Sequence, residues 1–512
     1  MTTRAHSAAI GVALSAVVVS AVAYVYAQSP GASSAGRLRQ VAYLKASNPV
    51  EDAHFGCGGT LTGHAGNASA ISADGTTLAI GAPHENSGAR GINGNQNDHS
   101  KYSSGAVYVF TRKGEATVQQ AYIKAASPGE SANFGSSVAL SRDGNTLAVA
   151  AYYESSAATG INGNQDDRSI PEAGAVYIFV RSGSTWSQQA YIKASNTGNA
   201  AVGDAYAEGD QFGYSMSLSD DGNTLAVGAI GEDSNATGVN GNQADNSANQ
   251  AGAVYVYSRA GTGWSQQAYV KSTMTRGNVL FGYSVAVSGN GDTLAVGEYD
   301  ADRGQGALYV LTRAAGTWSH QARLQATNGE TQDSLGYSLA ISDDGNTIAS
   351  GAADEDCLKP GINPDGCEHD QESNQSSGAA YVFVRNGTTW AQQVFLKASN
   401  PGKEDWFGVR IAISGDGNTV AVGAQNEDSA AKGINGKQDD ESASEAGAVY
   451  LFTRTGTTWT QHSYVKSSNT RAGDEFGSSL ALTGDGRMLL VGARGEDAGG
   501  VRDAGAAYLF GR

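Results

Sequence analysis

Cysteine is scarce, with three residues in a chain of 512, too few to scaffold a disulfide-built fold. Positive charge is also short: 33 Lys and Arg stand against 50 Asp and Glu, a net charge of −17, with no Lys/Arg cluster anywhere. A nucleic-acid groove needs a basic stripe, so that partner is excluded. Charged residues of either sign make up only 16% of the chain, yet apolar runs recur throughout, which excludes a disordered acidic polymer. The eight histidines are scattered, with no Ser/His/Asp grouping and no metal-ligand spacing. A catalytic site usually breaks a repeat with a singular residue group, and none stands out, so enzymatic function ranks last.

One uncharged stretch is long. Arg4 and His6 precede Ser7 to Ala27, which ends in Val25-Tyr26-Ala27 before Gln28-Ser29-Pro30. A basic start, an apolar middle and a small-residue site read as a signal peptide over 1–27, with 28–36 as linker. An uncleaved anchor helix is the alternative, because the stretch has membrane-spanning length. Either reading places the rest outside the cytoplasm: secreted, periplasmic or at the cell surface. With the leader cleaved, the mature chain has no membrane span.

What the chain has in abundance is glycine, 69 residues, and a repeat. Gly-Ala-Val-Tyr-Val-Phe at 105–110 returns at 174, 252, 306, 378, 447 and 505, at spacings of 54 to 78 residues. In the second copy Val138 to Ser141 and Thr146 to Ala150 flank the hairpin turn Arg142-Asp143-Gly144-Asn145. A long polar loop leads to Gly174–Phe179, and Ser182-Gly183-Ser184 turns into Trp186–Lys193. The unit is a four-stranded antiparallel meander. Its first two strands use Ala, Ser, Val and Gly, and its last two use Tyr, Phe and Trp. Sheets converging on an axis have room only for small side chains inside and need aromatic volume outside. The pattern predicts an all-β, seven-bladed β-propeller over 37–512. The seventh unit stops at Arg512 without a fourth strand, while Gln40 to Asn48 matches the fourth-strand phrase Gln189 to Asn196. The N-terminal strand is therefore expected to complete the last blade and close the ring, leaving no unpaired edge. The product is expected to be a monomer.

The recurring Phe-Gly at Phe55, Phe134, Phe212, Phe281, Phe407 and Phe476 (Leu335 in the fifth unit) and Gly81-Ala82-Pro83 resemble the FG-GAP repeats of integrin alpha-chain propellers. The resemblance implies a binding or adhesion role. Integrin-type propellers often carry a calcium loop between strands one and two. Here that place holds a short Ser-x-Asp-Gly-Asn-Thr turn, so the family's calcium residues do not transfer.

Candidate sites lie in the loops joining strands two and three, which share a face with the loops joining successive blades (4–1). Gly91-Ile92-Asn93-Gly94-Asn95-Gln96 recurs at 160–165, 238–243 and 433–438. Asn93, Asn95, Asn162, Asn164, Asn240, Asn242 and Asn435, with Trp406 in a 4–1 loop, form the expected ligand-binding rim. Glu154, Asn162, Asn164, Asp166, Glu232, Asp233, Asn240, Asn242 and Asp245 place hard oxygens at alternating positions, the ligand chemistry of calcium. The alternative is a self-bonded polar loop built for turn geometry. Five tryptophans, Trp186, Trp264, Trp318, Trp390 and Trp459, share one position at the start of strand four. They suit blade packing better than sugar stacking. Cys357 and Cys367, ten residues apart in one loop of an exported chain, are expected to form a disulfide that leaves Cys57 out. The favoured function is a non-catalytic propeller binding an extracellular protein; the alternative is a glycan-binding, lectin-like propeller.

Overall fold

The repeat forms the meander its residues dictate. In the computed structural model blade 2 runs Val138–Leu140, Thr146–Ala151, Ala175–Ser182 and Thr185–Ile192, in that spatial order. The inner turn is tied by its own side chains. Ser141 Oγ donates to Asp143 Oδ1 at 2.6 Å, and the Asn145 and Thr146 N–H groups donate to Asp143 Oδ1 and Ser141 Oγ at 2.9 Å. Burial alone would raise the Asp143 carboxyl, but these hydrogen bonds reverse the effect and hold it below its usual range. The second strand is buried along its whole length, as expected for a sheet covered on both faces.

The structure describes residues 37–57, 66–198, 209–367 and 375–512; the leader and linker expected at 1–36 lie outside the described residues. Among these residues seven four-stranded antiparallel sheets form, one per repeat. Leu38–Arg512 makes up one compact unit. Seven apolar clusters fill the seams, each shared by two successive blades. Val149 of blade 2 packs with Val107 of blade 1, for example, and Leu490 of blade 7 with Leu78 of blade 1. The ring closes as expected: Arg39–Leu44 pairs antiparallel with Ala506–Gly511, with Tyr43 opposite Tyr508.

The Phe-Gly pair is a seam device. Phe134 packs edge-on against Tyr177 and Phe179 of its own blade, centroids 5.3 and 6.1 Å away. Its backbone N–H donates to Ser104 of the preceding blade at 3.2 Å. Gly105, which opens the aromatic phrase of the preceding blade, has φ +78° and lies so close to Phe134 that a Cβ would strike its backbone. In blade 5 Leu335 fills the pocket in place of Phe, and Tyr381 stacks on Phe395 at 5.1 Å.

The tryptophans belong to the seams as well. Trp186 Nε1 donates to Gln120 of the preceding blade at 2.9 Å, and Arg181 covers its ring at 5.3 Å. Trp264, Trp318, Trp390 and Trp459 repeat both contacts. Near the axis the inner turns link blade to blade: Ala73 N–H to Arg142 O, Arg142 N–H to Asp220 O and Asp220 N–H to Gly289 O, at 2.8 to 3.0 Å. Asp343 to Gly415 and Gly415 to Gly484 continue the belt at 2.9 Å. Arg142 reaches across the axis to Asp220 at 2.9 Å and to Asp343, three blades away, at 2.5 Å.

Candidate functional site

The 2–3 loops are organised by the strand they lie beside. Ile161 bridges to Ile192, Asn162 N–H donates to Tyr191 O at 2.7 Å, and Asn162 Oδ1 accepts from Tyr191 N–H at 3.0 Å. Each loop phrase thus adds a short fifth rung outside strand four. Asn93, Asn240 and Asn435 make the same contact with Tyr122, Tyr269 and Tyr464. The next asparagine forms a turn: Asn95, Asn164 and Asn242 each accept, at 3.1 Å, from the N–H two residues on. Asp166 accepts from Ser127 Oγ at 2.7 Å, Asp245 from the Ser247 N–H at 2.8 Å, and Asp233 from the Gln250 N–H at 2.8 Å. A cation in these loops would compete with those donors. Among the described residues no three carboxylate, imidazole or thiol side chains converge as a metal-ligand set.

Glu154 and Glu232 lie deeper, in an arrangement the sequence reading missed. Lys193 Nζ donates to Glu154 at 2.9 Å and Lys271 Nζ to Glu232 at 2.7 Å, all four side chains essentially unexposed. Lys124–Glu85, Lys397–Glu355 and Lys466–Glu427 complete five such pairs. Burial pulls each of these lysines below its usual range, with the partner carboxylate opposing. The loop phrase seals the pair: Lys193 N–H donates to Gly160 O at 2.8 Å. The repeated Lys of the fourth-strand phrase, about 39 residues after a repeated Glu, was the signal available in the sequence.

Blades are also fastened across this face. Asn196 Nδ2, from the end of blade 2, donates to Gln243 O at 2.8 Å and Glu232 Oε1 at 3.2 Å in blade 3, and Asn196 Oδ1 accepts from Tyr255 Oη at 2.6 Å. Asn48 and Asn400 do the same at two other seams. The Cys357–Cys367 bridge forms within the blade-5 loop, both residues buried in the seam with blade 4. Cys57 is buried and outside it.

Against this uniform frame one region differs from blade to blade. The residue before each Phe-Gly pair adopts the same left-handed backbone in all seven blades, with φ between +49° and +63°. Seven different side chains occupy it: His54, Asn133, Gln211, Leu280, Ser334, Trp406 and Glu475. Such backbone is costly for a bulky residue, so the ring geometry and not the side chain sets it. On one side of the axial mouth Tyr152, Tyr214, Ile230, Tyr283, Tyr337 and Val409 form an aromatic-rich cluster, with Tyr153, Leu280, Tyr299 and Trp406 half-buried against it. Tyr283 and Tyr299 stack at 4.6 Å.

The other side is polar and ionisable. Arg494 Nη2 donates to Glu475 at 2.8 Å, and Arg410 Nη1 and Nε donate to the carbonyls of Val409 and Ser478 at 2.8 and 3.0 Å. The rings of His54 and His84 lie 4.8 Å apart. Burial, then the charges of His84 and Arg494, push His54 down to about 3, so it is neutral at physiological pH. Burial also pushes the Cys57 thiol up, against the opposing charge of Arg494. A cavity of about 300 Å³ beside His84 is lined by Val50, Glu51, Asp52, Asn86, Tyr102 and Ser103. The scattered histidines thus include one contacting pair, which no local spacing announces.

A closed seven-bladed propeller with a uniform frame and one variable axial mouth defines a class whose fold suggests a binding or adhesion-type domain. The FG-GAP repeat family model matches residues 264–311, 318–383, 390–452 and 459–510, and these matches together with the seven-bladed fold are consistent with an FG-GAP β-propeller protein. No curated protein matches it. Among the described residues no helix is long and apolar enough to cross a membrane.

Proposed function

We propose that this is an exported, non-catalytic propeller that binds a protein or other surface ligand on the face bearing the 2–3 and 4–1 loops, over the axial mouth. One observation carries the reading: seven blades hold one backbone position in the same conformation and fill it with seven different side chains. Positions that build the frame repeat, and a surface that recognises one partner has no reason to. The half-buried Tyr153, Tyr299 and Trp406 supply rigid aromatic anchors of the kind interfaces favour. The same aromatics support the second reading, a glycan-binding propeller, because sugar rings stack on exposed aromatic faces.

The test is binding of labelled protein to intact cells and to a glycan array, with two variants. Tyr299→Ala/Trp406→Ala is expected to weaken binding at least tenfold, while Arg487→Ala on the opposite face leaves it unchanged. Glycan binding that depends on the aromatics would favour the second reading. Binding indifferent to the aromatics but sensitive to Arg487 would overturn both.

A further inference from the structure

Five blades share one buried lysine–glutamate pair, and blade 7 repeats the Tyr and Asn contacts that blade 6 makes to the glutamate without the cation. In blade 6 Glu427 Oε1 accepts from Tyr464 Oη at 2.8 Å and Asn400 Nδ2 at 2.9 Å. Its Oε2 accepts from Lys466 Nζ at 2.7 Å and from the Ser429 N–H at 3.2 Å. In blade 7 Glu496 Oε1 accepts from Tyr43 Oη at 3.2 Å and Asn469 Nδ2 at 2.7 Å, the same two contacts. Glu496 is only 4% exposed, and its buried Oε2 has no hydrogen-bond partner.

The lysine expected there is present in sequence. Tyr43-Leu44-Lys45 stands in the register of Tyr464-Val465-Lys466. Blade 7 has no long 2–3 loop to cover it, only the turn Ala498–Gly500, and Lys45 is exposed. Its ammonium lies out over Gly499, 3.1 Å from where a Cβ would stand. The N–H of Ala498, counterpart of Ser429, is used by the Glu496 carbonyl at 2.8 Å. Both donors that satisfy Oε2 in blade 6 are therefore turned elsewhere.

The surroundings are anionic. Asp474 and Asp497 flank Glu496, and burial followed by the Glu496 charge pushes Asp474 up to about 7. The facing cation is Arg471, whose guanidinium lies 4.0 Å from Asp497 at the exposed edge. Blade 6 holds the matching acids Asp405, Glu427 and Asp428 with Lys466 buried among them, whereas the cation of blade 7 lies at the exposed edge and leaves the buried place without one.

We propose that Glu496 Oε2 anchors a binding site for a hard inorganic cation in the closing blade, at the place where five other blades hold a lysine ammonium. Oxygen ligands suit such an ion. Besides the carboxylate, the ammonium pocket of blade 5 uses the Gly378 carbonyl, whose counterpart in blade 7 is Gly505. One carboxylate with carbonyl and water oxygens fits a singly charged ion such as potassium better than a tightly caged divalent one. The ion would neutralise the one buried carboxylate oxygen the closing strand leaves unmatched.

The test is thermal melting of the intact protein at constant ionic strength in potassium, sodium, calcium and choline chlorides. An ion-specific rise of several degrees over choline is expected, lost in Glu496→Gln and kept in Lys45→Met. A rise that survives Glu496→Gln, or no rise with any ion, overturns the proposal. So does a Lys45→Met variant as destabilised as Lys466→Met, which would make Lys45 the cation. Should Glu496→Gln fail to fold, rubidium-soaked wild-type crystals decide: an anomalous peak in contact with Glu496 Oε2 supports the site, and its absence sinks it.

Discussion

Blades 1, 2, 3, 5 and 6 differ from blades 4 and 7 in two features that travel together. The five carry a long 2–3 loop laid along strand four, and each buries a lysine against a glutamate. Blade 4 has a short turn at Ala301–Gly304, Gln325 at the lysine position, and a half-exposed Arg323–Asp302 pair instead. Blade 7 keeps the lysine and loses its burial. The loop is thus the lid that makes a buried ion pair feasible. Taking two charges from water is expensive unless the remaining lone pairs are satisfied, and in blade 6 the Tyr464, Asn400 and Ser429 N–H contacts to Glu427 do that.

The harshest way to break the comparison is to remove the strand that makes blade 7 a composite. Deleting residues 37–48 strips Leu38 and Leu44 from two seams and bares the edge of Ala506–Gly511. Loss of cooperative melting, with aggregation on size exclusion, is expected; an unchanged monomeric melt would refute closure. Next is Lys466→Met, which strands Glu427 uncompensated and should cost about 3–5 kcal/mol. Lys466→Met/Glu427→Leu should recover most of that in denaturant melts. Lys45→Met in blade 7 should cost less than about 1 kcal/mol, the range of exposed contacts.

A pH series sharpens the same contrast. Burial raises Asp210 and Asp333 to about 8 and Asp405 and Asp474 to about 7. A folded-state value above the unfolded one means that the native protein holds the proton more tightly. That stability is complete below about pH 4 and is lost as pH rises through 7 to 8. Melting temperature should therefore fall by several degrees between pH 6 and pH 9, and Asp210→Asn/Asp333→Asn should flatten part of the slope. The inner-turn aspartates act oppositely. Asp143 and Asp221 sit below their usual range, so their contribution is lost on acidification. A small effect also belongs to the loops: Asn162→Ala removes one backbone staple, for about 1 kcal/mol. The equivalent contact does not exist in blades 4 or 7.

The frame was legible because it repeats. Six Phe-Gly pairs with one Leu-Gly variant, seven turns and one displaced strand phrase specified blade number, strand order and closure, and the local Cys357–Cys367 spacing specified the bridge. Trp186 and its counterparts were readable for the same reason, identical placement implying identical packing. Apart from Trp406 the mouth was not legible, because His54, Tyr283 and Arg494 come from three blades and meet only through the ring. The lysine–glutamate pairs stayed hidden because a Lys on an outer strand reads as solvated until the loop that covers it is in place.

Closure by Arg39–Leu44 also orders events in time. The strand synthesised ahead of all seven inner strands can pair only after the last blade has appeared, since its partner Ala506–Gly511 follows every other strand of the ring in the chain. Until then its backbone donors wait, and the final blade is a three-stranded fragment with an open flank. A chain stopped short of that partner can build blades but cannot lock them into a ring, so synthesis through Ala506–Gly511 is itself a condition for the finished circle.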